Sequence, residues 1–327
     1  MSAGRYALGG QGLLSYGIES NAYSQASSAD TEFGITSEDI EPYNENPQTA
    51  MPTGGGGRQP YVQSPDPKEP ELDVPTVVHT PDIPYELALG SRTTTSKTNY
   101  DEHLITEADR LPTATIRHVQ SDLDMVAYYI GAKANLDLEW SQGDPLESTF
   151  AITAAEHSFD PADTAPSISP TMPSDVSPYR GHMQGNLTLD DQTGSLVHEV
   201  ATINGGSWSV DNGLEVQHHG SDGDGGNRYG YSVAETTAAD KYDLSLDANI
   251  TDTDLYEEAY SGGTLLDAEI PFAREMNSGT IVDGVILRAN ACKVTDGPIP
   301  RPGEGVIEGT IQLAPQDGVE IEIREAT

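Results

Sequence analysis

The sequence has little positive charge, one cysteine and no long apolar run. Lys and Arg together number 16, of which five are lysines, against 53 Asp and Glu in 327 residues. Non-specific affinity for nucleic acid needs basic side chains that displace counterions, so this composition argues against such binding. The single cysteine, Cys292, excludes an intrachain disulfide and a cysteine metal cluster. No apolar run approaches the roughly 18 residues of a membrane-spanning helix.

The acidic excess gives the chain a formal net charge of −37. Self-repulsion of this size opposes compaction at ordinary salt. At molar salt the Debye length falls to about 3 Å and the repulsion is largely screened. Regular apolar alternation in the middle and C-terminal parts argues against a disordered acidic chain. We therefore expect a folded protein adapted to a very salty medium.

Residues 1–84 are predicted to form an extended Pro/Gly-rich arm with one short strand near residues 13–19. They contain four glycines at 54–57 and nine prolines between Pro47 and Pro84, which disfavour helices and central strands. A flexible linker is the alternative. Aromatic residues spaced along the segment favour an arm that docks on a neighbouring copy, and the predicted anchors are Tyr6, Tyr16, Tyr23, Phe33, Tyr43 and Tyr61.

Residues 85–327 are predicted to form the β core. Apolar residues alternate with polar ones over 132–140, 242–248 and 319–323, which is typical of half-buried strands. Many short strands separated by turn residues indicate an all-β sandwich or barrel. The other predicted strands are 85–89, 112–119, 124–130, 148–154, 185–189, 196–201, 207–211, 228–234, 264–272, 280–294 and 305–313.

One short flanking helix is predicted over about 252–261. Thr251 or Asp252 can cap it, and Gly262-Gly263 ends it. Two long loops are predicted, at 155–184 with five prolines and at 217–227. Loops of this length are usually functional or disordered.

The sequence offers no catalytic constellation. It has no nucleophile elbow, Walker loop or His-Glu-x-x-His motif, and acidic pairs are expected by chance among 53 acids. The His218-His219 pair precedes Asp222 and Asp224, which are weak metal candidates because the closing bidentate Glu of a calcium loop is absent. An exposed polar loop that binds cations only opportunistically is the simpler interpretation. We therefore expect no enzyme activity and no cofactor.

The C-terminal layout and one early segment resemble the tail-tube proteins of long-tailed viruses. The segments that carry the resemblance are Tyr16–Ser20, the helix at Leu255–Tyr260 ending at Gly262-Gly263, Thr264–Phe272, Val285–Ala289, the Pro-rich turn Gly297–Pro302, Gly305–Leu313 and Val319–Ile323. With the acidic composition, the chain is identified as similar to the tail-tube (major tail) protein of a virus of halophilic archaea.

The resemblance implies a tail-tube-like β-sandwich whose copies, six to a ring, join strands into an inner barrel. Stacked rings would form a tube that conducts viral DNA without binding it specifically. The expected partners are further copies and the tail proteins at the tube ends, with no membrane. The expected location is the virion tail, after synthesis in the host cytoplasm, because the N-terminus lacks a signal-peptide stretch.

An acidic channel lining follows as an expectation, because strands of a barrel alternate between inward and outward residues. The predicted lumen acids are Asp137, Glu139, Asp243, Asp247, Asp267, Glu269, Glu320 and Glu322. The sequence leaves open which strands line the channel. Two other functions also stay open: another virion β-protein, such as a distal tail ring, connector or head spike, and a halophilic carbohydrate-binding β-sandwich.

Overall fold

The computed structural model describes residues 12–33, 39–41, 48–50, 62–64, 69–120, 125–141, 143–160, 178–180, 187–191, 197–200, 203–218, 232–236, 241–249, 265–296 and 308–327. Within these residues the chain forms antiparallel strands and one four-residue helix, which confirms the predicted all-β class. The helix α1 is Glu86–Leu89. The strands are β1 Gly12–Ile18, β2 Thr31–Glu32, β3 Asp39–Glu41, β4 Gln48–Ala50, β5 Val62–Ser64, β6 Glu71–Val77, β7 Gly90–Ser96, β8 Tyr100–Glu107, β9 Ala114–Gln120, β10 Met125–Ser141, β11 Glu147–Thr153, β12 Glu156–Phe159, β13 Leu187–Asp191, β14 Val197–Val200, β15 Ile203–Val210, β16 Glu215–Gln217, β17 Ser232–Ala234, β18 Tyr242–Asn249, β19 Leu266–Asn277, β20 Thr280–Asp296, β21 Glu308–Ala314 and β22 Val319–Ala326.

These strands form three larger sheets and two two-stranded sheets, β4-β5 and β16-β17. Sheet I has the order β3-β6-β11-β10-β15-β18-β21-β20. Sheet II has the order β14-β13-β19-β20-β22-β8-β7. Sheet III has the order β2-β1-β9-β10-β12. The 17-residue strands β10 and β20 each belong to two sheets, so the three sheets share one hydrogen-bonded framework.

The core lies between the inner faces of sheets I and II. Leu136 and Leu138 of sheet I belong to the same buried cluster as Ile321 of sheet II, and sheet III contributes to that cluster as well. The Trp140 ring of sheet I meets Phe272 of sheet II edge-on, with ring centroids 5.4 Å apart. The other faces of both sheets point away from this core.

β10 passes from sheet III to sheet I at a bulge. Its register with β9 shifts between Tyr129 and Ala132, and Gly131 lies there with φ of 70°. A Cβ at Gly131 would come 2.5 Å from Cδ1 of the Tyr23 ring, so both the backbone angle and the space require glycine. The sequence showed two strands on either side of this residue, whereas the structure has one bent strand.

Two stretches of the predicted arm supply strands and core side chains. Residues 12–33 place β1 beside β9, and residues 69–84 place β6 beside β11. Their buried apolar residues belong to the main core cluster and include Leu14, Tyr16, Phe33, Leu72, Val74, Val78 and Ile83.

Several predicted elements differ from the structure. Residues 85–89 were expected to be a strand, but Glu86–Leu89 form α1. All four residues of the helix are buried, and so short a run does not show whether its period is that of a helix or a strand. The predicted loop 155–184 begins with strand β12, whose Ala127↔Phe159 pairing adds an edge to sheet III. The predicted helix at 252–261 lies outside the described residues.

Candidate functional site

The outward face of sheet I carries acidic and small polar side chains. In β10, Leu136 and Leu138 point into the core. The alternate residues Asp137 and Glu139 are therefore exposed on the opposite face. Strand β18 repeats the pattern and exposes Asp243 and Asp247. Hydroxyl side chains occupy many neighbouring outward positions, at Thr149, Ser207, Ser209, Ser245 and Thr310.

Cross-strand partners on this face do not neutralise the acids. Asp137 lies opposite Thr149 on one side and Ser209 on the other, and Glu139 lies opposite Glu147. Like charges directly opposite each other are unfavourable. Among the described residues, neither Asp137 nor Glu139 has a Lys or Arg within salt-bridge distance.

The electrostatic consequence is visible at Asp137. Partial desolvation by its neighbours raises the pKa of this carboxyl above its ordinary value, and the negative charges of Glu139, Asp211 and Asp73 raise it further. A neighbouring cation would have the opposite effect. The face therefore has a negative potential that is not balanced by nearby basic side chains of the described chain.

Lys133 and Lys293 are the lysines on the outward side of sheet I in the described strands. Lys133 is 6% exposed beneath β17, where its Nζ donates to the Val233 carbonyl at 2.9 Å and to Glu235 at 2.6 Å. Lys293 is exposed on the last part of β20, at the edge of the sheet. The middle of the face is therefore acidic. Burial of Lys133 depends on where β17 packs, which the pattern of residues around Lys133 does not reveal.

A groove of about 400 Å³ lies on this face near the ends of β10, β11, β15 and β18. Its walls include the carboxylates of Glu139, Asp144, Glu147 and Asp247. A Cβ at Gly206 would come 2.5 Å from the Trp140 ring and 2.6 Å from the Ser245 carbonyl oxygen, so glycine allows close strand packing there. The groove repels anions such as phosphate.

The outward face of sheet II has a different electrostatic character, because arginines pair with two of its acids. Arg288 donates from Nε to Glu269 at 2.9 Å and from Nη1 to Glu322 at 2.5 Å, and Arg324 also donates to Glu322. Asp267 accepts a hydrogen bond from the backbone N–H of Ala291 at 2.7 Å, where Ala291 has a φ of 51° and the β19–β20 register shifts.

Ionisation of Glu322 reflects this pairing. Burial alone would raise the pKa of this carboxyl, but hydrogen bonds from Arg324 and Arg288 and their charges outweigh it and hold the pKa below its ordinary value. Burial alone would lower the pKa of Arg288, but its bonds to Glu322 and Glu269 raise it above the ordinary value. The eight predicted lumen acids thus fall into two groups, one on sheet I and one on sheet II, where Glu320 faces Arg288 across the ladder.

The predicted assembly aromatics have mixed positions. Tyr16 and Phe33 are buried in the chain's own core, with ring centroids 5.3 Å apart. Tyr23 is half-buried, and its hydroxyl exchanges 3.3 Å hydrogen bonds with the backbone of Val233. Tyr6, Tyr43 and Tyr61 lie outside the described residues, so their predicted role in assembly stays a prediction.

The predicted metal candidates Asp222 and Asp224 lie outside the described residues, as does most of the predicted loop 217–227. In the part of the chain that the structure describes, no group of three or more His, Cys, Asp or Glu is placed to hold a metal ion. No helix among the described residues is long and apolar enough to cross a membrane.

Comparison with known proteins gives one family. Residues 9–318 match the family model described as phage tail tube protein. A search of curated proteins finds no match to the sequence.

Proposed function

The chain belongs to the phage tail tube protein family, and from this premise we propose that six copies form a ring and that stacked rings conduct the viral genome. Membership makes the chain a structural component of the virion that self-assembles into a tube and meets other tail proteins. The observation that carries the finer proposal is the acidic outward face of sheet I, which the described chain does not neutralise.

We assign the channel lining to sheet I because of its charge. A basic surface would retain DNA phosphates through counterion release. On sheet I the acids are interspersed with small hydroxyl side chains, and no Lys or Arg lies opposite them on a neighbouring described strand. These acids are Asp137, Glu139, Asp243 and Asp247. On sheet II, by contrast, Glu269 and Glu322 are paired with arginines. Duplex DNA would therefore find fewer attractive sites along sheet I, and it would pass without specific binding.

Among the described strands, β3 and the end of β20 are the two edges of sheet I, and they supply a route to ring closure. One edge is β3, which carries Asp39 and Glu41, and the other is the end of β20, which carries exposed Lys293. Open strand edges present unpaired backbone groups to a neighbouring chain. Pairing of unlike edges is a head-to-tail contact, which closes into a ring when the rotation per copy fits. The β20 edge carries Lys293 together with Asp296, whereas β3 carries two acidic residues, so contact between unlike edges brings fewer like charges together than contact between two β3 edges.

The net charge of −37 favours a virus of salt-loving archaea as the source. Synthesis in the host cytoplasm would then expose the chain to molar salt before assembly. Screening by that salt removes the repulsion between acidic copies, which assembly would otherwise have to overcome.

Assembly is expected to depend strongly on salt. The purified chain should form rings or tubes at about 2–3 M KCl and dissociate at about 0.1 M, because the Debye length shrinks to a few ångströms only near molar salt. Sedimentation velocity at the two concentrations measures this, with circular dichroism as a control for folding. A folded monomer at both concentrations would refute the proposed function.

Reversing the charge of the β20 edge is expected to weaken ring closure. Lys293→Glu should raise the protein concentration needed for assembly, because it replaces attraction to Asp39 and Glu41 by repulsion. Lys97→Glu is the control, because it makes the same change in net charge at an exposed turn away from both edges. The Nζ of Lys97 lies 3.4 Å from Oε1 of Glu102. Light scattering measures the protein concentration at which each variant assembles. Equal concentrations for the two variants would argue against a role of the β20 edge in ring closure.

A further inference from the structure

The Glu19 carboxylate is buried at the point where β10 bends from sheet III into sheet I. Its side chain is 7% exposed. One oxygen, Oε1, accepts hydrogen bonds from the backbone N–H of Gly131 at 2.8 Å and from the Thr115 hydroxyl at 3.0 Å. The other, Oε2, accepts from the backbone N–H of Tyr23 at 2.8 Å. Three neutral donors on three separate segments therefore converge on one carboxylate.

The bend needs such an acceptor. At the bulge, β10 advances by three residues from Tyr129 to Ala132 while β9 moves by two, so the extra residue loses its regular place in the ladder. A buried backbone N–H without a partner costs stability. Glu19 satisfies the N–H of Gly131, and it does so from a segment that β1 positions beside β9.

The same site connects to the acidic face of sheet I. Tyr23, which Glu19 holds, bonds through its hydroxyl to Val233 of β17. Lys133, two residues beyond the bulge, bonds to the Val233 carbonyl and to Glu235. Directional polar contacts thus join sheet III, the bend and the hairpin that covers one end of sheet I.

We propose that Glu19 is a positioning residue that fixes the bend of β10 and thereby the angle between sheets III and I. The inference rests on the proposed tube, since this angle is repeated in every copy and contributes to the diameter of the assembled ring. Polar bonds fix direction more narrowly than apolar packing at such a joint. Gly131 supplies the backbone freedom, and Glu19 selects one conformation from it.

The test compares Glu19→Gln with a matched change elsewhere. In E19Q the amide group has the same shape as the carboxylate, but its NH2 replaces one of the two accepting oxygens. That NH2 then faces a hydrogen-bond donor, so at least one bond is lost. E322Q is the control, because it makes the same substitution at a buried carboxylate on sheet II, far along the chain from the bend. The control shows what loss of stability alone does.

Two measurements are made on each protein. In the first, spin labels on E156C of β12 and S207C of β15 report the distance between sheets III and I in the free subunit. Both native residues are exposed, whereas the native Cys292 is buried. In the second, electron microscopy of tubes assembled at high salt gives their diameter and axial rise.

The expected result is a narrow distance distribution in the wild-type and E322Q chains and a broadened or shifted one in E19Q. E19Q should also form fewer tubes, or tubes of variable diameter. Wild-type distances and diameters in E19Q would overturn the proposal. If the wild type forms no tubes, the proposed function fails, while the label distances still decide whether Glu19 fixes the bend.

If E19Q does not fold, hydrogen exchange on the wild-type chain still tests the proposal. Amide hydrogen exchange should show Gly131 and Tyr23 protected to the same degree as the ladder amides of β9. Rapid exchange at Gly131 would overturn the proposal, because the carboxylate would then not hold the bulge.

Discussion

A chain that begins at residue 85 is expected not to fold. The deletion removes β1 and β6 and, with them, seven core side chains, which are Leu14, Tyr16, Phe33, Leu72, Val74, Val78 and Ile83. Burial of a side chain of this size contributes about 1.5–3 kcal/mol, so the set contributes on the order of 10–20 kcal/mol. A whole domain is stable by only about 5–15 kcal/mol. The loss also turns β9 and β11 into edge strands whose former partners are missing.

Circular dichroism and thermal unfolding at high salt measure this effect. Deletion of residues 1–11, which precede β1, is the control and should leave cooperative unfolding intact. Cooperative unfolding of the 85–327 chain near the temperature of the full chain would contradict the expectation. It would instead support the predicted division into an arm and an independent core.

Glu322→Gln is expected to cost about 3–5 kcal/mol of folding stability, the usual penalty for breaking a buried ion pair from one side. Glu322 is 4% exposed and accepts hydrogen bonds from both Arg288 and Arg324. The amide would leave two guanidinium groups without their shared counter-charge. Glu269→Gln removes the exposed partner of Arg288 and should cost at most about 1 kcal/mol.

The pH dependence of stability gives a second signature. Because the folded-state pKa of Glu322 is lowered, its ionisation stabilises the fold above the ordinary carboxyl pKa. That contribution is lost as the pH falls from the ordinary carboxyl pKa through the folded value. The free energy of unfolding of the wild type, measured with denaturant, should therefore fall more steeply in acid than that of E322Q. Parallel pH profiles would show that the pairing contributes little.

The fold class was predictable because alternation is a local property. Ala132 to Trp140 alternate in the sequence, and the same residues alternate between core and surface in β10. The bend within β10 was not predictable, since Gly131 in an apolar stretch marks a strand boundary as readily as a bulge. The helix α1 was missed because burial of all four residues removes the period that distinguishes helix from strand.

The candidate surface was only partly predictable. The sequence identified acids on the polar sides of strands, but Asp137 and Glu322 look alike at that level. Their difference arises from pairing between distant strands, because β20 and β22 bring Arg288 beside Glu322 while β10 and β15 bring Ser209 beside Asp137. Burial of Tyr16 in the chain's own core likewise depends on where β1 docks, which spacing along the sequence does not reveal.

We propose that the chain forms a tube whose channel is lined by the acidic face of sheet I. The decisive measurement is a density map of tubes assembled from the purified chain at molar salt. We expect the side chains of Asp137, Glu139, Asp243 and Asp247 to face the channel in every ring. A channel ringed by arginines such as Arg117, Arg274 or Arg288 would contradict the claim, even if the tube itself forms.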